Sequence, residues 1–117
     1  MDTREKIVPL EELRGRMAGG EWRVIVGLFD PLTAGQAVRL ADVANGSELA
    51  AIVLDEPGTL LTAEARAALV AGLRRVQLVS IARREEWRGA LGEAEIFEDP
   101  ARSDEFVKFV LERQNRG

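Results

Sequence analysis

Cysteine and histidine are both absent from the 117 residues, and these two zeros exclude more chemistry than any motif supplies. Without cysteine there is no disulfide framework, no thiolate nucleophile and no thiolate ligand for zinc. Without histidine no side chain titrates near neutral pH unaided, and imidazole ligation of a metal is excluded. Catalytic triads, His-based phosphoryl transfer and zinc hydrolysis fail with it. Lysine is scarce, present only as Lys6 and Lys108, so arginine carries almost all the positive charge. Long apolar runs are also missing. The longest, residues 49–54, is strand-sized, against the roughly 18–20 residues of a membrane-spanning helix. The first six residues, Met-Asp-Thr-Arg-Glu-Lys, lack the apolar stretch of a signal peptide. The expectation is a cytoplasmic protein with no membrane segment and no metal site.

The composition is that of a folded domain: 46% hydrophobic and 31% charged, with a length that suits one domain over 1–117. A net charge of −4 disfavours a nucleic-acid partner, because phosphate backbones select basic faces.

Short apolar runs alternate with amphipathic segments. A helix is expected over 9–18, with Pro9 in its first position, Leu10, Leu13 and Met17 on one face and Gly19-Gly20 ending it. Strands are expected over 22–26, 49–54, 76–81 and, briefly, 94–97. The second is apolar on successive residues, as a parallel strand covered on both faces should be. A helix over 33–44 should bury Ala34, Ala37, Val38 and Ala41 and stop at Asn45-Gly46. Thr62 suits the N-cap of a helix reaching about residue 74, a short helix should follow over 84–91, and Ser103 should cap a last one with Phe106, Phe109 and Val110 inward. Four alternations of strand and helix predict an α/β fold: a Rossmann-like three-layer α/β/α domain around a parallel sheet of four to five strands.

In such sheets ligands bind at the carboxyl ends of the strands, so the loop after the first strand is the place to look. It reads Gly27-Leu28-Phe29-Asp30-Pro31-Leu32-Thr33-Ala34-Gly35-Gln36 and runs straight into a helix. This stretch resembles the signature of the cytidylyltransferase-like nucleotidyltransferases. That family includes glycerol-3-phosphate cytidylyltransferase and the nucleotidyltransferase domain of ADP-heptose synthase, whose pattern is G-x-F-D-x-x-H-x-G-H. Gly27, Phe29, Asp30 and Gly35 match in register, while Thr33 and Gln36 stand at the two histidine positions. Weaker similarity covers most of 6–113: residues 6–13 resemble the family's helix before the first strand, 60–76 with Glu64 and Arg66 resemble its segment between second and third strands, and Arg102-Ser103 is similar to its phosphate-contacting motif.

The resemblance implies a nucleotide or phosphate-containing ligand held by Gly27, Phe29, Asp30, Thr33, Gly35, Gln36, Arg66, Arg102 and Ser103. It implies a nucleoside triphosphate with Mg²⁺ as the cofactor if a nucleotide binds at all, and a homodimer. The departures point the other way. Paired histidines in the family hold the phosphates and offset the charge that develops as pyrophosphate leaves, and one such donor is worth about 10²–10³ in rate. Both are replaced by neutral side chains. The loop after the second strand carries Asp55 and Glu56 where relatives have Lys and Arg, and a Lys-Gly-Gly-Asp-Tyr-like segment is skipped. The expectation is therefore a nucleotidyltransferase-like protein that is catalytically degenerate, with no catalytic residue assigned. Two alternatives stay open: an active enzyme whose site a partner subunit completes, and an interaction protein whose pocket has closed.

Residue by residue, a bland role stands beside each functional one. Gly35 admits a phosphate to the helix N-terminus or permits close helix–sheet packing. Asp30 orients a substrate or, the favoured role, accepts backbone N–H groups in an Asx-type turn before Pro31. Phe29 is core rather than a stacking platform. Thr33 caps its helix, Gln36 reaches a ligand or faces solvent, and Arg66 reaches the site mouth or pairs with a nearby Glu.

Overall fold

The computed structural model describes residues 2–87, 91 and 95–99, with Glu98 and Asp99 as backbone alone. The chain runs through α1 (Leu10–Met17), β1 (Trp22–Gly27), α2 (Ala34–Ala44), β2 (Glu48–Leu54), α3 (Ala63–Ala71), β3 (Val76–Ala82), α4 (Arg84–Trp87) and β4 (Glu95–Asp99), after a 3₁₀ turn at Thr3–Lys6. The strands form a four-stranded sheet in the order β3-β2-β1-β4, and every pairing is parallel. The fold is α/β and Rossmann-like, as the alternation requires.

Strand periodicity divides the core in two. Val24, Val26, Ala50, Ile52, Leu54 and Leu78 face α1, where they meet Leu13 and Met17, together with Trp87 and Leu91. Ile25, Ala51, Val53 and Val79 face the other way, onto Leu40 and Ala44 of α2 and Ala67, Val70 and Ala71 of α3. Both faces of β2 are covered, which is why its sequence is an unbroken apolar run. One irregularity keeps β3 in phase. Leu49 pairs with Val76 but Ala50 pairs with Leu78, so the extra residue, Gln77, turns Val76 to the α2–α3 side.

The outer edge of β3 is partly covered by the chain's own beginning. Ile7 bridges Val79 in parallel, Val8 N–H donates to the Val79 carbonyl, and the buried Ser80 hydroxyl donates to the Val8 carbonyl at 2.6 Å. Arg23 joins the other side of the sheet. Its Nη1 donates to the Val43 carbonyl at 2.8 Å near the end of α2, its Nε lies 3.4 Å from Glu95, and its guanidinium stands over the Phe97 ring.

Three expectations are corrected. Pro9 is the N-cap of α1 rather than its first helical residue. The helix capped by Thr62 ends at Ala71, where the Gly72 N–H donates back to the Ala68 carbonyl. The inward face of α2 carries Gln36, Leu40 and Ala44, while Val38, expected to be buried, is 64% exposed. The short helix is described over Arg84–Trp87 and the fourth strand over Glu95–Asp99; the expected helix from Ser103 lies outside the described residues. Among the described residues no helix is long and apolar enough to cross a membrane.

Candidate functional site

The chain lays β2 and β3 to one side of β1, then returns to place β4 on the other. Strand order therefore reverses between β1 and β4, and the loop from β1 to α2 opens at that switch point. The structure brings Phe29, Asp30, Thr33, Gly35, Gln36 and Arg66 to this end of the sheet through the loops after β1 and β2. Gly27 is the last residue of β1 and pairs with Val53 and Asp99. Arg102 and Ser103 lie outside the described residues.

Most of these side chains are engaged with the protein itself. Thr33 and Gln36 form a capping box on α2: the Gln36 N–H donates to Thr33 Oγ1 at 3.2 Å, and the Thr33 N–H donates to Gln36 Oε1 at 2.9 Å. The box satisfies two amides that a helix end otherwise leaves open. Gln36 consequently does not face solvent; it is buried. Thr33 fills the capping role expected of it.

Phe29 is fully buried among Leu40, Val53 and Val70, in a left-handed backbone conformation with φ 52°. It belongs to the core, as expected. Asp30 accepts backbone N–H groups, but not locally. Leu60 N–H donates to its Oδ2 at 2.6 Å and Leu61 N–H to its Oδ1 at 2.8 Å, thirty residues along the chain. The carboxylate thus ties the loop after β1 to the loop after β2, in place of the Asx-type turn.

Arg66 enters from α3 and ties the same two loops. The residue is 1% exposed; its Nη1 donates to the carbonyls of Leu28 and Leu54, each at 2.8 Å, and its Nε donates to the Leu61 carbonyl at 3.1 Å. Of the two roles open to Arg66, pairing with a nearby Glu is absent: no ion pair to it exists among the described residues. The backbone of Leu61 is held on both sides, its N–H by Asp30 and its carbonyl by Arg66 and the Thr59 hydroxyl.

Gly35 is the exposed second residue of α2. A Cβ there would meet only Thr33 Oγ1, at 3.9 Å, so close helix–sheet packing does not require this glycine. Gly35→Ala is expected to stabilise the fold by about 0.5–1 kcal/mol, since Gly costs that much in a helix. A urea midpoint that falls instead of rising would show that the glycine is needed for another reason.

The acids after β2 are partly offset. Arg84 of α4 donates to Glu56 Oε1 from Nε at 3.0 Å and from Nη2 at 2.9 Å. Both partners are partly exposed, so the pair contributes at most about 1 kcal/mol. No group of three or more acidic side chains able to hold a metal ion occurs among the described residues. A groove lined by Pro9, Leu10, Glu11, Arg14 and Glu86 contains none of the candidate site residues.

Sequence reasoning missed Leu60 and Leu61, which act through backbone amides that leave no side-chain signal. It also missed the Glu56–Arg84 pair, for which opposite charges just after β2 and just after β3 were the available sign. Neither a protein-family model nor a curated protein matches the chain.

Proposed function

We propose that this chain is a nucleotidyltransferase-like domain that does not transfer nucleotides, and that its former phosphate loop now serves as a structural latch. The capping box carries the proposal. The two side chains at the motif's histidine positions are neutral, and each accepts the other's backbone N–H, so neither brings a cation to a departing pyrophosphate. Arg66, the described cation among the expected site residues, is turned onto three carbonyls. Both observations favour an interaction protein with a closed site over an enzyme. The homodimer implied by the resemblance and a cytoplasmic setting belong to the same proposal.

A second reading has one observation in its favour: Gly35 is exposed and has open space above it, so a phosphate group has access to the start of α2. Incubation with CTP or ATP and Mg²⁺ separates the readings. The expected result is no pyrophosphate release with any acceptor and no thermal shift at millimolar nucleotide. Pyrophosphate release would sink the proposal. A saturable shift without turnover, lost in Gly35→Trp, would move the conclusion to residual phosphate binding.

A further inference from the structure

Two consecutive backbone N–H groups converge on one carboxylate: those of Leu60 and Leu61 bracket the two oxygens of Asp30 at 2.6 and 2.8 Å. Adjacent amides pointing the same way form a concave donor pair of the kind that holds small oxyanions. A cation is bonded one peptide unit further along. The Arg66 guanidinium donates to the carbonyl of Leu61 at 3.1 Å and has no carboxylate partner among the described residues. Leu61 therefore meets a carboxylate at its N–H and a guanidinium at its carbonyl, which belongs to the next peptide unit along the chain. The cradle is at the surface, since Leu60 is 80% exposed, and its occupant comes from a different loop.

We infer that the Leu60 and Leu61 amides are an oxyanion cradle that Asp30 occupies from within, and that a small carboxylate or phosphate takes the same place once the Asp30 carboxylate is gone. Tethered thirty residues away, Asp30 competes at a high effective concentration, so free anions do not displace it from the native protein. The contact is autoinhibitory in form: a ligand gains the cradle only by releasing the loop after β1 from the loop after β2. The inference rests on this loop geometry and is independent of the nucleotidyltransferase-like reading. Failure of nucleotide to bind leaves it untouched.

Asp30→Ala empties the cradle. Sodium acetate and sodium phosphate are titrated into this variant and the wild type, against sodium chloride at matched ionic strength, while the amide resonances of Leu60 and Leu61 and the melting temperature are followed. In Asp30→Ala both amides are expected to shift saturably, and the melting temperature to rise by roughly 5 °C at about ten times the dissociation constant. Wild type is expected to show neither response. Where Asp30→Ala is unfolded in chloride, either oxyanion is expected to refold it, and Asp30→Asn, which keeps the volume but not the charge, carries the same titration. Amides that move no further in acetate or phosphate than in chloride overturn the inference, in whichever variant folds. A wild type that responds as strongly as the variant overturns it as well.

Discussion

Arg66→Met is expected to lower the unfolding free energy by about 3–5 kcal/mol, the largest effect of any single polar residue described. The methionine fills much of the volume, so the loss comes from the carbonyls. Those of Leu28 and Leu54, at the ends of β1 and β2, each give up a charge-assisted bond of 2.8 Å, and that of Leu61 one of 3.1 Å. A buried ion pair can sometimes be replaced whole by apolar groups at no cost. That route is closed here, because the partners are backbone atoms that no substitution removes. Arg66→Lys should recover less than half of the loss, since a single ammonium cannot reproduce the fork that spans three carbonyls. Urea unfolding with an unchanged slope reads the difference. A loss below about 1 kcal/mol would mean that water replaces the guanidinium, and that the loops are not tied as described.

The second large effect concerns Phe29, where side chain and backbone make opposite demands. Removing the buried ring in Phe29→Ala is expected to cost about 3–5 kcal/mol. Phe29→Gly removes the same ring and adds chain entropy to the unfolded state, which elsewhere makes Gly about 0.5–1 kcal/mol worse than Ala. At φ 52°, however, every residue with a Cβ is strained by about 1–2 kcal/mol, and glycine is not. The glycine variant is therefore expected to be at least as stable as the alanine variant. Thermal melts of the pair decide it: a glycine variant several degrees lower would mean that residue 29 leaves the left-handed region once its ring is gone.

The elements of this fold were legible wherever pattern alone sets structure. The apolar run over 49–54, the alternation around it and the caps at Thr33 and Thr62 gave the parallel sheet, its strands and most helix starts. The phase of α2 was not legible, because alanine is compatible with either face. Ala34, Ala37, Val38 and Ala41 form an apolar stripe, yet Leu40 and Ala44 face the sheet together with Gln36. A glutamine reads as surface until its side chain is known to return to the Thr33 amide. The site was legible in place but not in use. The switch point and its loop followed from topology, and Phe29 and Thr33 took the roles expected of them. The tasks of Asp30 and Arg66 depend on the backbone of Leu60 and Leu61, thirty and five residues from them at the nearer bond of each. Backbone partners carry no residue-type signal, so no inspection of spacing reveals them.

The parallel bridge at Ile7 and the Ser80–Val8 hydrogen bond join residues 72 apart, and this sets an order of assembly. The segment that covers β3 has nothing to pair with until β3 has joined β2, although it precedes both in the chain. β1 and β2, by contrast, are joined by a single helix and pair over six residues. Loop-closure entropy favours such a short-range strand pair over the clasp and makes the N-terminal clasp a late contact. Until that clasp closes, the backbone of β3 around Val79 presents an open edge to any neighbouring chain. The opening residues thus guard the growing sheet against intermolecular association, and truncating them raises the hazard during refolding more than it lowers the stability of the finished sheet.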